Sequence, residues 1–233
     1  MNPRVLYRAA SYATDARSAA DSVISALTPA AWYRNATGIT ESGGFVSQWD
    51  DYSGNGRHLI QSTGTNQPAY SAGVLAFDGA DNFMKTLAFT LNAPETVYLI
   101  VKQNSWTVND FILDGNTAYS GAIIQRGVSP AFVLNASTGE VCSNTDLAVD
   151  SYGIVCVVIS GASSSTRVNN NAKVTTGVSP GAGNMGGLAL GAAGGPGGYS
   201  HISAKEVIVF AAAHNDATQS SVITALNNAL TVF

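Results

Sequence analysis

The chain has 233 residues, a net charge of −4, a charged fraction of 11% and a hydrophobic fraction of 45%. That balance excludes a disordered chain, which combines low hydrophobicity with high net charge. Mild acidity also argues against nucleic acid as a partner, since that role favours a basic patch. The length suits one domain with a core large enough to need no disulfide or metal staple.

The first segment, MNPRVLYRAASYATDARSAADSV, lacks the continuous apolar stretch of a signal peptide, so synthesis in a cytoplasm is expected. No apolar run approaches the roughly 18 residues of a membrane span, so no membrane partner is expected. Residues 14–27 carry Ala16, Ala20, Val23 and Leu27 at helical spacing, with Thr14 as the starting cap. Thr28-Pro29 ends the run, because the residue before proline avoids the α region. The stripe is thin, and such a helix needs another surface to lie on. Residues 1–34 hold Arg4, Arg8, Arg17 and Arg34 against Asp15 and Asp21, a basic balance on an acidic chain. Residues 1–29 therefore read as an arm for docking or oligomerisation, with Arg4, Leu6, Tyr7, Arg8, Val23 and Leu27 as its contact residues.

Residues 30–233 read as one domain. Short β-branched or aromatic runs follow one another between turn clusters: AAWYR, FVSQW, HLIQ, VLAF, VYLIVK, FIL, AIIQ, AFVL, GIVCVVIS and KEVIVF. Strands 97–102 and 154–159 are apolar on both faces, which predicts central positions covered on both sides. Asp216 caps a closing helix with Val222, Ile223, Leu226 and Leu230 on one stripe. Many strands without αβ alternation give an all-β fold: a two-sheet antiparallel jelly-roll sandwich, with a short N-terminal helical arm and a C-terminal helix.

Several motifs fail on mechanism. GVSPG at 177–181 matches the nucleophile elbow, but Pro180 has no N–H to donate to an oxyanion. GAGNMG at 181–186 matches a dinucleotide fingerprint but runs into GLALGAAGGPGG, which cannot form the required helix. His58, His201 and His214 have neither zinc-type spacing nor a cysteine pair beside them. Asp50, Asp51 and Asn55 lack the calcium-loop pattern. No metal, cofactor or catalytic residue is therefore assigned. The four glutamates, Glu41, Glu95, Glu140 and Glu206, have no carboxylate two residues away, so no glycosidase pair shares a strand face. Convergence of Asp110, Asp114 and Glu140 in one groove would reopen a hydrolase or lyase reading. GAAGGPGGY at 191–199 reads as a surface connection. Cys142 and Cys156 read as buried small hydrophobes, and pairing between them stays open.

The succession AAWYR, WDDYSGNGRHLIQ, QPAY and LAFDGADNFM over residues 31–84 resembles the concanavalin A-like lectin/glucanase superfamily, in its laminin G-like branch. Later segments, from IVCVVISGASSSTRVNNN to the C-terminal helix, agree with it. The resemblance implies that WDDYSGNGRHLIQ is architectural: Trp49 in the core, Asp50 and Asp51 capping a turn, and Ser53-Gly54-Asn55-Gly56 reversing the chain. The acidic triad of the family's hydrolases is absent. Chains with SGNGxHxxQ and no leader resemble tailed-bacteriophage structural proteins. That likeness implies a non-enzymatic virion component, either capsid decoration, head fibre or tail attachment. It would be a homo-oligomer, a trimer by analogy, held to other virion proteins by the arm. The alternative is a glycan-binding module for host-surface polysaccharide, using Trp106, Tyr119, Tyr199, Asn104 and Asn116. Three aromatics lining one groove would favour it.

Overall fold

The computed structural model describes residues 3–195 and 197–233, with side chains from Asp15 onward. Arg4, Leu6, Tyr7 and Arg8 are thus placed on a helix while their side chains lie outside the described residues. The strands in chain order are β1 (Ala31–Tyr33), β2 (Ile39–Ser42), β3 (Phe45–Trp49), β4 (Leu59–Ile60), β5 (Ala69–Ser71), β6 (Val74–Ala76), β7 (Met84–Lys85), β8 (Glu95–Gln103) and β9 (Phe111–Asp114). They continue with β10 (Ala122–Gln125), β11 (Phe132–Asn135), β12 (Glu140–Asn144), β13 (Tyr152–Ile159), β14 (Ser165–Val168), β15 (Val174–Thr175), β16 (Ala189–Leu190) and β17 (Ile202–Phe210). Helices α1 (Pro3–Ala26) and α2 (Asp216–Leu230) complete the chain.

All ladder pairings are antiparallel and trace two layers. The back layer runs β17-β8-β13-β14-β15, with β1 and β6 in tandem along the free edge of β17. The front layer runs β2-β3-β4-β7-β16-β9-β10-β11-β12. Strand β5 pairs with β3 on one side and β6 on the other, closing one side of the sandwich. The expected all-β jelly-roll sandwich with terminal helices is the fold observed.

Alternation along each strand sorts the core. On β8, Val97, Leu99 and Val101 face the sandwich interior with Trp49, Phe77 and Phe132. Tyr98 and Ile100 face the opposite way, onto α1 and α2. This is why β8 and β13 read as apolar on both faces: one face meets the other sheet, the other meets helices.

The helical layer departs from the sequence reading in three places. Helix α1 begins at Pro3 rather than Thr14, with proline where its missing N–H costs nothing. The cap of α2 is Asn215, whose side chain accepts from Thr218 N, and Asp216 is the first helical residue. Val23 and Leu27 pack partly buried against the helix-facing cluster beside the fully buried Ile24. An ion pair ties the same segment down: Arg17 Nη1 lies 2.7 Å from Glu206 Oε2, and the Trp32 indole donates to Glu206 Oε1 at 2.8 Å. Residues 17–27 are thus built into the back layer.

The stretch 49–61 is architecture. Asp51 is buried and accepts from the backbone N–H of Trp32, Ser53 and Arg57 at 2.9, 2.9 and 3.0 Å, and from the Ser53 hydroxyl at 2.8 Å. Asp50 does not share this cap; it accepts from the Gln48 amide at 2.7 Å and faces His58 Nδ1 at 3.2 Å. Cys142 and Cys156 are both buried and free. No helix among the described residues is long and apolar enough to cross a membrane.

Candidate functional site

The outer face of the front layer is built by strand alternation. Ile123 and Leu134 point into the core, so Ala122, Ile124 and Val133 point outward and form a small apolar cluster with Phe111 and Ala193. Two loops lie over this cluster, residues 115–121 and the described residues 191–195 and 197–199.

Asp114 pins both loops. Its carboxylate is buried and accepts from four backbone N–H groups: Gly115 at 2.8 Å, Tyr119 at 2.8 Å, Gly194 at 3.1 Å and Gly121 at 3.4 Å. Burial raises its pKa, and the four donors pull the other way. Lys85 Nζ ties the same loops together, donating to Gly194 O at 2.5 Å and Asn116 O at 3.3 Å. Gly194 comes so close that a Cβ there would sit 2.3 Å from Gly115 O. Residues 191–195 and 197–199 are therefore a packed cover over the sheet, where the sequence suggested a ranging surface connection.

The cover leaves two depressions. The larger, about 520 Å³, is lined by Tyr119, Arg126, Asn135, Ser137, Thr138 and Glu140. Arg126 Nε pairs with Glu140 Oε1 at 2.8 Å on its floor. Tyr119 holds a positive φ of 63° and stacks edge-on against Phe111 with centroids 5.1 Å apart, while 42% of it stays exposed. The smaller depression, about 150 Å³, is lined by Phe83, Lys85 and Tyr199 between the loop and β7. Tyr199 and Phe83 sit 6.1 Å apart there.

Of the five residues expected to touch a glycan, Tyr119 and Tyr199 share this face but line separate depressions. Trp106 sits where the β8-β9 loop meets the β10-β11 hairpin, donating its indole N–H to Ala131 O at 2.7 Å. Asn104 accepts from the Ser203 hydroxyl at 3.0 Å. Asn116 is a clamp, donating to Gly186 O at 2.9 Å and Thr86 O at 3.3 Å. Three aromatics in one groove is not what the chain builds. Sequence reasoning missed Arg126 and Asn135 and named Glu140 only as a possible hydrolase carboxylate; the three meet because β11, β12 and the end of β10 lie side by side.

The carboxylates do not converge. Asp114 is enclosed by backbone donors, Glu140 is paired with Arg126, and Asp110 lines neither depression. Among the described residues no three His, Cys, Asp or Glu side chains gather as a metal site.

No family model matches the chain. No curated protein matches it either. Solved structures do. A Trypanosoma rangeli sialidase in complex with sialic acid matches 92% of this chain over 37% of its own length, with a TM-score of 0.61 and 11% identity. An arabinofuranosidase complexed with arabinofuranosyl-α-1,2-xylobiose matches 79% of this chain over 51% of its own, with a TM-score of 0.65 and 15% identity. At such identity the likeness is one of fold, and this chain spans only about two-fifths to half of those proteins. The shared fold is a β-sandwich. It overturns the reading as a bacteriophage virion component: these neighbours are glycosidases, and they give capsid, tail or laminin G-like membership no support.

Proposed function

We propose that this chain is a carbohydrate-binding β-sandwich that holds a saccharide on the outer face of its front layer without cleaving it. The observation that carries the reading is the half-exposed Tyr119 ring standing beside the Arg126–Glu140 pair and Asn135 over one open depression. A fixed aromatic gives apolar area to the C–H face of a sugar at little entropic cost. Guanidinium, carboxylate and amide groups supply the donors and acceptors that read hydroxyls. Support of a coarser kind comes from the fold shared with glycosidases. Binding rather than hydrolysis follows from the acids: a retaining site needs two carboxyl groups about 5–5.5 Å apart and an inverting one about 6.5–9.5 Å, and Glu140 is the one carboxylate lining this depression.

A glycan array with the full chain, followed by calorimetry on the best ligand, tests this. Tyr119→Ala is expected to weaken binding at least tenfold, about 1.4 kcal/mol, with the fold intact. Absence of any bound saccharide, or equal affinity in Tyr119→Ala and Arg126→Ala, would refute it. Release of reducing sugar would refute the binding-only part.

A further inference from the structure

The back layer carries a second built depression, unrelated to the front face. It has a volume of about 580 Å³ and opens between the start of α2 and the β13-β14 turn, with Ser160, Ser163, Lys173, His214, Asp216 and Gln219 among its lining residues. Gln219 is only 2% exposed. Its Nε2 donates to His214 O at 2.9 Å, and its Oε1 has no hydrogen-bond partner among the described residues. A buried amide oxygen left without a donor is rare, because the loss is comparable to a full hydrogen bond. Gln219 lines an open depression, the one space beside it from which a ligand donor could approach.

The charges say what kind of donor. Asp216 already engages the neighbouring cations, with Lys173 Nζ at 2.8 Å and Arg167 Nη2 at 3.6 Å. Lys173, the one cation lining the depression, is already paired, and Asp216 would repel an anion at the helix start. An ammonium ligand would face the positive end of α2. A neutral hydroxylated ligand meets neither penalty. His214 lines the depression with Nδ1 held 2.9 Å from the Tyr98 hydroxyl, which leaves Nε2 as the remaining ring nitrogen. Serine hydroxyls at 160 and 163 add groups that both donate and accept. The walls combine polar side chains with the small apolar groups of Val158, Ala213 and Ala217, which suits the mixed C–H and hydroxyl faces of a compact polyol.

We infer that this depression is a second binding site, for a neutral monosaccharide, with one ligand hydroxyl donating to Gln219 Oε1 and others meeting Asp216, His214 and the serines. It is independent of the front-face reading, since the two sites share no residue.

The test is a titration of the ¹⁵N-labelled full chain with D-glucose, D-galactose and L-arabinose, each to 100 mM, following backbone amide shifts. Saturable shifts at Ser160, Ser163 and Ala217–Gln219 are expected for at least one sugar. Gln219→Leu should weaken that binding about tenfold and Ser163→Ala several-fold. Ser163 is exposed, so its variant decides the matter if Gln219→Leu fails to fold. Linear, unsaturated shifts at these amides with all three sugars would overturn the site, as would affinities unchanged in the variants. Shifts confined to Ala118, Tyr119 and Ser137–Gly139 would also overturn it while leaving the front-face reading standing. Loss of those front-face shifts alone would do the reverse.

Discussion

Glu95 opens β8 opposite Ile159 on β13, on the same strand face as Val97 and Leu99, and so points into the sandwich interior. It is fully buried, and neither carboxylate oxygen has a hydrogen-bond partner among the described residues. Burial without a partner pushes its pKa up from 4.5 to about 8. The folded chain therefore holds this proton more tightly than the unfolded one. Its contribution to stability is fully present below pH 4.5 and is lost as the pH rises to about 8. At 1.36 kcal/mol per pH unit, the loss is about 3 kcal/mol by pH 7 and about 5 kcal/mol by pH 8 and above. That is a large share of the roughly 5–15 kcal/mol that holds a domain together. Glu95→Gln keeps the shape and removes the titration. Its own unpartnered amide adds an offset that does not vary with pH. Urea unfolding of both proteins at unit steps from pH 5 to pH 9 isolates the effect, because every other group titrates alike in the two. The variant should gain on the parent steadily through this range and level off above pH 8. Two stability curves that run parallel would mean the carboxylate has found a partner or water, and the argument would fail.

Two further outcomes follow from the packing. Arg17→Ala leaves Glu206 buried with only the Trp32 indole and a long Asn35 contact, and should cost about 3 kcal/mol in urea unfolding; a change under 0.5 kcal/mol would show that α1 is not anchored there. Gly194→Ala drives a methyl against Gly115 O and Thr117 C, so the cover over the front face must lift, with about 1–3 kcal/mol lost and Tyr119 fluorescence altered; an unchanged melting curve would refute the close approach.

The fold was legible because its signals are local. Each of the ten apolar runs became a strand, since an alternating or doubly apolar segment bounded by turn residues has few other ways to bury itself. The short strands β2, β5, β7, β15 and β16 were not legible. Met84–Lys85 and Ala189–Leu190 are two residues long and gain their pairing from neighbours far away in sequence. The same holds for α1: the stripe of Ala16, Ala20, Val23 and Leu27 looks weak until the helix-facing cluster supplies a surface on which Ile24 is fully buried.

The site was illegible for a related reason. Trp106, Tyr119 and Tyr199 were singled out as aromatic residues in polar loops, and that property does not distinguish a ring aimed at solvent from one whose polar edge is already used. Trp106 has its N–H committed to Ala131, whereas Tyr119 is held upright by Asp114 and Phe111 and keeps its ring exposed. Arg126, just past the end of β10, and Asn135 and Glu140 on β11 and β12 carry no mutual signal along the chain, because they meet across strands whose register is set by the core-facing Ile123, Leu134 and Val141. Each is positioned by residues that point away from it. The apolar interior thus fixes where the polar groups stand, and recognition on a sheet face is a property of register rather than of any one segment.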